Sequence, residues 1–256
     1  RVTRENAALL RAGVWQETVR INQGEADWKF NLEGVFKDAD AGDRIDQIAP
    51  TDLPAWLTYK PSASNTGGIL SGTPGNSDVG IKTFQWQAVD NAGDTATYRL
   101  RMDVVNINDA PEGSVVITGT LSQGQTLLAD TSGLNDADGI GTFTFQWQRS
   151  EDGNSFVDIP AANSETYLLT DDDAEMRIRV QVNYTDQHGT NETVVSEISQ
   201  TVTNVNDAPT GTVSLEGSFI EDEVLTVISS SLEDNDGLGD LNYQWQRSSD
   251  GEDWSS

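Results

Sequence analysis

The chain of 256 residues has no cysteine, a single histidine, and only 15 lysines and arginines against 42 aspartates and glutamates. Each shortage excludes something. Without cysteine there is no disulfide, thiolate metal site or cysteine nucleophile, so stabilisation beyond packing falls to hard cations held by oxygen, calcium first among them. The formal charge of −27 repels nucleic acid and anionic membrane surfaces and attracts divalent cations. No apolar run approaches the roughly 20 residues that span a bilayer, and no basic-then-apolar leader appears, so a soluble chain without membrane insertion is expected. The one histidine, His188, sits in Thr185-Asp186-Gln187-His188-Gly189, which reads as a hairpin turn. No phosphate-cradling glycine loop or zinc-ligand spacing is found, and among so many carboxylates none is singled out as a hydrolytic pair. No catalytic residue is assigned, and the chain is expected not to be an enzyme.

What is present is a repeat. Asp-x-Asp occurs at Asp38/Asp40, Asp136/Asp138 and Asp234/Asp236, a spacing of 98 residues each time (136 − 38 and 234 − 136). A second motif keeps the same phase: Asn106-Ile107-Asn108-Asp109-Ala110-Pro111 and Asn204-Val205-Asn206-Asp207-Ala208-Pro209. Residues 106–156 align with 204–254 without a gap and match at 22 of 51 positions, including Gln146-Trp147-Gln148-Arg149 against Gln244-Trp245-Gln246-Arg247. These are true internal repeats of a size suited to one β-sandwich each.

Apolar and polar residues alternate in Val115–Ile117, Thr142–Gln148, Met176–Tyr184 and Val194–Val202, with Gly, Asn and Asp clusters between them. That is the period of half-buried strands, and no helical stripe competes. In Met176–Val182 the pattern puts Met176, Ile178, Val180 and Val182 on one face. The expected fold is all-β, a tandem array of β-sandwich domains arranged as an elongated rod. Its parts are residues 1–22, a lead-in or first strand; 23–108 and 109–206, two sandwiches; and 207–256, the N-terminal half of a third repeat. The chain opens on Arg1 and stops inside that repeat, which is expected of a piece of a longer polypeptide; the half repeat leaves an uncovered core face around Trp245. Either the segment is cut there or a second chain supplies the missing strands.

Calcium takes six to eight oxygens at one point, and a junction between repeats can converge that many. The first junction offers Asp90, Asn106, Asn108, Asp109, Asp136 and Asp138; the second offers Asp186, Asn204, Asn206, Asp207, Asp234 and Asp236. In extended backbone, residues two apart project to the same side, so Asn106 with Asn108, or Asp136 with Asp138, can reach one ion. Pro111 and Pro209 remove a donor and keep the connector extended. Asp38 and Asp40 form a weaker set, because the chain holds no upstream domain to supply their partners. Asp171-Asp172-Asp173 and Glu221-Asp222-Glu223 read as solvated turn residues.

The first-domain motifs Gly34–Asp43, Leu53-Pro54-Ala55-Trp56-Leu57, Leu70-Ser71-Gly72-Thr73-Pro74 and Ala88-Val89-Asp90-Asn91-Ala92-Gly93 come in an order that resembles a dystroglycan-type cadherin-like domain. The following repeat resembles an immunoglobulin-like domain without its disulfide. The ligand positions named above are similar to cadherin interdomain ligands, and the combination is similar to the giant repetitive, repeats-in-toxin type adhesins of bacteria. What the resemblance implies is an extracellular, secreted or cell-attached segment that takes part in cell adhesion or biofilm formation, its domains each other's first partners. A module binding surface glycans or proteins directly, with Trp15, Trp28, Trp56 and Trp254 as its surface, is the first alternative. A self-assembling fibre completed by strand exchange is the second.

Overall fold

The computed structural model describes residues 18–36 and 44–255, whose regular structure is strands with two short 3-10 turns. They form two compact units. The first comprises the described part of Arg1–Glu112 with Asn135–Thr142 and Tyr184–Glu192; the second comprises Gly113–Leu134, Phe143–Asn183 and Thr193–Ser256. The Asp-x-Asp loop and the His188 hairpin of the second repeat thus group with the residues that precede Pro111.

In the first unit, β1 (Thr18–Asn22), β2 (Lys29–Asn31), β3 (Ile45–Pro50), β4 (Leu57–Pro61), β5 (Gly68–Gly72), β6 (Gly80–Asp90) and β7 (Thr95–Val105) make two sheets, β1-β7-β6-β3 and β2-β5-β4. Strand β1 runs parallel to β7; the other pairs are antiparallel. Strict alternation along β6 and β7 buries Phe84, Trp86 and Ala88 from one strand and Leu100, Met102 and Val104 from the other. Trp86 meets Tyr59 of the opposite sheet edge-on, with ring centroids 6.0 Å apart, so the core lies between the sheets. The glycine of Leu70-Ser71-Gly72 is required by close approach, since a Cβ there would stand 2.1 Å from the Trp56 carbonyl oxygen. Trp56 and Trp28 pack against this core from its margin.

The second sandwich uses β8 (Val116–Thr118), β9 (Thr126–Asp130), β10 (Thr144–Ser150), β11 (Val157–Asp158), β12 (Thr166–Leu168), β13 (Arg177–Thr185) and β14 (Asn191–Val195), in sheets β12-β9-β8 and β11-β10-β13-β14. Trp147 on β10 is fully buried, stacks on Tyr167 of β12 at 5.7 Å, and donates its indole N–H to the Ser164 carbonyl at 2.9 Å. Ile178, Val180 and Val182 line the inner face of β13 as their alternation predicts. The fold is an all-β tandem of β-sandwiches. Beyond Pro209, β15 (Ser214–Gly217) and β16 (Leu225–Ile228) form an antiparallel pair, and Trp245 is 49% exposed where its repeat partner Trp147 is 0%.

Two expectations change. The strand predicted over Val194–Val202 stops at Val195, although the chain continues along β13: Ser196 N and Ser199 N donate to the Val180 and Ile178 carbonyls, and the two serine hydroxyls accept from the Val180 and Ile178 amides. Hydroxyls replace carbonyls, so the regular ladder ends while the edge stays covered. The sequence Phe-Gln-Trp-Gln appears both at Phe84–Gln87 on β6 and at Phe145–Gln148 on β10, two positions of different topology. A buried tryptophan between glutamines therefore suits a central strand in general and does not fix which one. The second change is in the acidic corner, read from sequence as solvated, where Asp173 is completely buried.

Four donors satisfy Asp173: the Tyr167 hydroxyl at 2.6 Å, Thr170 N at 2.9 Å, Thr170 Oγ1 at 3.0 Å and Arg149 Nη1 at 3.1 Å. Removing Asp173 leaves the Tyr167 and Thr170 donors without their acceptor and Arg149 with only the exposed Asp172 as partner. Asp173→Ala is therefore expected to destabilise the second sandwich by about 3–5 kcal/mol in urea unfolding, and a loss below about 1 kcal/mol would contradict this role.

Candidate metal centre

Each connector is held by the Asp-x-Asp loop that follows it. Asp109 N donates to Asp138 Oδ2 at 2.7 Å, and Asp138 N donates to Asp136 Oδ1 at 2.8 Å. The second junction repeats this: Asp207 N to Asp236 Oδ2 at 2.6 Å, and Asp236 N to Asp234 Oδ1 at 2.9 Å. Both loops close through Gly139 and Gly237, whose amides donate to the Asp136 and Asp234 carbonyls and whose φ angles are 86° and 92°. The Asp-x-Asp segment is thus a turn. The first Asp of each pair accepts the backbone amide of the second, and the extended-strand alternation expected from spacing is not the geometry used.

The hairpin at Asp186 belongs with the first junction. Asp186 Oδ1 accepts from His188 N and Thr190 N, both at 2.8 Å, and Gln187 N donates to the Asp138 carbonyl at 3.2 Å. Just before it, Tyr184 donates its buried hydroxyl to Asp136 Oδ2 at 2.5 Å. Burial and the neighbouring Asp136 carboxylate push the Tyr184 phenol well above its ordinary value, so it remains a donor at any physiological pH. Asn108 Nδ2 reaches Glu192 Oε1 at 2.8 Å on the next strand.

Asp186 moves from the second junction, where spacing alone assigned it, to the first. Asp90 leaves the first junction. Strands β6 and β7 pair from Gly80 with Val104 to Val89 with Thr95, so at about 3.4 Å per residue the Asp90 turn lies roughly 30 Å from the connector that follows Val105. Asp90 and Asp186 are the same device at the same hairpin, each taking two backbone amides on Oδ1. Chain order put Asp90 near Asn106, and the long hairpin takes it away. Asp38 and Asp40 lie outside the described residues. Asn204 Nδ2 binds Asp236 Oδ1 at 2.7 Å, and Asn206 Nδ2 turns back to the Asp207 carbonyl at 2.7 Å.

Two residues at each junction escaped the sequence reading. Gln23 Nε2 donates to Asp109 Oδ2 at 2.9 Å, and Gln123 Nε2 donates to Asp207 Oδ2 at 3.1 Å. Asn76 Nδ2 also donates to Asp109 Oδ2 at 2.9 Å, while Asp171, expected to be a solvated turn residue, takes Gln123 Nε2 at the corresponding place. The signal was a Gln-Gly pair 100 residues apart (123 − 23), two residues out of phase with the main repeat.

The acceptors at these junctions are carboxylate and amide oxygens, the ligand type of a hard cation. Asp186 Oδ2 and Asn106 Oδ1 are shielded from solvent and accept no hydrogen bond among the described residues. Buried oxygens without donors are costly unless a cation or water completes them. Among the described residues, no group of three or more His, Cys, Asp or Glu stands as a preformed metal cage. Amide N–H groups of Gln23, Asn76 and Gln123 stand between the carboxylates.

Residues 22–105 match the family model described as "Putative Ig domain", and residues 117–205 match one described as "Domain of unknown function (DUF8696)". The first sandwich, expected to be cadherin-like, is thus similar in sequence to an immunoglobulin-type domain. Among solved structures the chain is similar to the human desmocollin-1 ectodomain at 12% identity, with a TM-score of 0.36 over 84% of this chain and 44% of that one. It is similar to protocadherin gamma B2 extracellular cadherin domains 1–5 at 13% identity, with a TM-score of 0.38 over 86% and 45%. It is also similar to titin domains A168–A170 at 14% identity, with a TM-score of 0.27 over 72% and 61%. The chain spans less than two thirds of each of these structures. No curated protein matches it.

Burial raises the Asp186 carboxyl, but the amides of Thr190, His188 and Gly189 outweigh it and leave its pKa below the ordinary carboxylate value. A depressed folded pKa contributes stability that is complete above the unfolded value of about 3.9 and is lost as pH falls through the folded one. Asp186→Asn is expected to flatten that part of the acid-unfolding curve and to lower the neutral-to-alkaline part without changing its slope; an unaltered acid slope would contradict it.

Proposed function

We propose that this chain is an extracellular, non-catalytic segment of tandem sandwiches whose junctions bind calcium, serving as an extender in an adhesin of the giant bacterial type. Its domains on this reading are 23–108, 109–206 and the opening of a third repeat from 207. The observation that carries the proposal is the twofold capture of a connector amide by the downstream Asp-x-Asp loop, in phase with the 98-residue repeat (207 − 109 and 236 − 138). No turn requirement fixes that phase. The first ion set is Asn106, Asn108, Asp109, Asp136, Asp138 and Asp186. The second is Asn204, Asn206, Asp207, Asp234 and Asp236. Asp90 serves the opposite end of its own sandwich, where a preceding connector would need it. No helix among the described residues is long and apolar enough to cross a membrane.

Bound calcium supplies positive charge shared between the two sides of a junction. Without it, the carboxylates of connector and loop repel one another, and amides alone hold them. Sites of about 0.1–1 mM affinity would fill outside a cell and stay empty in the cytosol. At 100-fold excess over the dissociation constant each site adds roughly 2.7 kcal/mol to the aligned state.

Chelation is therefore expected to lower the calorimetric melting temperature and to broaden the distance distribution from small-angle scattering, with calcium restoring both. Identical melting and scattering curves in calcium and chelator would refute the proposal.

A further inference from the structure

Two glutamines hold the two connectors in the same way. Each lies second in a four-residue turn: Glu25 N donates to the Asn22 carbonyl at 3.2 Å around Gln23-Gly24, and Gln125 N donates to the Ser122 carbonyl at 3.1 Å around Gln123-Gly124. Gly24 and Gly124 are left-handed, at φ 69° and 76°. Main-chain bonds pin each turn to the start of its connector. Gln23 N donates to the Val105 carbonyl at 2.9 Å, and Gln123 N donates to the Thr203 carbonyl at 3.0 Å.

The side chain then uses both ends of its amide. Its Oε1 accepts from Ile107 N at 3.4 Å or from Val205 N at 3.0 Å. Its Nε2 donates to Asp109 Oδ2 at 2.9 Å or to Asp207 Oδ2 at 3.1 Å. The same Nε2 also meets the first residue of a short 3-10 turn, Asn76 of Asn76–Asp78 at 2.6 Å or Asp171 of Asp171–Asp173. One glutamine therefore holds connector residues 105, 107 and 109, or 203, 205 and 207, which are alternate positions that face one way in extended backbone. Of the intervening residues, Asn108 bonds to Glu192 and Asn204 to Asp236.

The turn itself does not ask for glutamine, since glycine supplies the left-handed residue and the position before it accepts most side chains. The clamp does ask for it. Glutamate has no proton to donate, lysine and arginine have no oxygen to accept with, and asparagine is one methylene shorter. The flanking residues differ between the two turns, Ile21-Asn22 and Glu25 in one, Leu121-Ser122 and Gln125 in the other, yet the clamp is the same.

We propose that Gln23 and Gln123 are positioning residues that set the register of the two connectors before any cation binds. They bring the Asp109 and Asp207 amides to the Asp138 and Asp236 carboxylates, bonds in which neither glutamine takes part. A connector already held loses less freedom when an ion binds, so the clamp also raises calcium affinity; this second effect rests on the calcium reading above.

Amide exchange by nuclear magnetic resonance on the whole chain tests it, with calcium binding followed by titration calorimetry. In chelator, Gln23→Ala is expected to speed exchange of the Ile107 and Asp109 amides by about tenfold and to leave Val205 and Asp207 unchanged, while Gln123→Ala does the reverse. The Asp109 and Asp207 amides decide the matter, because they bond to the loop and report register, not the deleted contact. Gln23→Glu keeps the shape and the acceptor for Ile107 but sets a carboxylate against Asp109, so it should free the Asp109 amide as well. Protection of amides in β6, β7, β10 and β13 verifies that each variant is folded. Wild-type exchange at Asp109 and Asp207 in the alanine variants, or at Asp109 in Gln23→Glu, would overturn the inference. Each alanine variant should bind calcium up to about tenfold more weakly, and unchanged affinity beside faster exchange would overturn the second effect alone. A wild-type chain that binds no calcium, with the exchange effects intact, would overturn the calcium reading and leave the clamp standing.

Discussion

A single hydrogen bond type sets the geometry of both junctions: a connector amide donated to a carboxylate of the loop that follows, Asp109 N to Asp138 and Asp207 N to Asp236. It fixes where the connector aspartate stands relative to the Asp-x-Asp turn, and every other polar contact is arranged around that point. Gln23 and Gln123 approach from the upstream side, and Tyr184 supports Asp136 from below in the first junction. The other oxygen of each loop carboxylate takes a side-chain amide, Asn76 Nδ2 on Asp138 at 3.4 Å and Asn204 Nδ2 on Asp236 at 2.7 Å.

Each complete sandwich has its own tryptophan between two sheets, Trp86 against Tyr59 and Trp147 against Tyr167, and the first junction ties into the second core through buried Asp136, which the buried Tyr184 hydroxyl holds. The buried charge that does support a core, Asp173, is paired with Arg149 and bonded on every side. Asp171 lies two residues away, turned outward to the second junction. One short 3-10 turn therefore carries an exposed carboxylate and a fully buried one two residues apart, which explains why a run of three aspartates read as mere solvated surface.

Much of this was legible in the sequence, and what was missed has physical causes. The 98-residue period marked the connectors and the Asp-x-Asp loops, and strict alternation marked β13, because both signals are local and repeat. Spacing did not reveal long-hairpin geometry: Asp90 is close to Asn106 in chain order and far from it in space, while Asp186 is near Asp138 across a sandwich edge. Gln23 and Gln123 were hidden because the first sandwich is a different sequence type and its turn falls two residues out of phase. Ser196 and Ser199 ended a predicted strand because a hydroxyl can imitate a carbonyl, which hydrophobic periodicity does not register.

The most direct measurement is anomalous diffraction from crystals of the chain grown with terbium in place of calcium. The account predicts a peak at each connector, within coordinating distance of both Asp109 and Asp138 in one case and of both Asp207 and Asp236 in the other. Peaks confined to surface turns such as Asp152, with none at either connector, would contradict it.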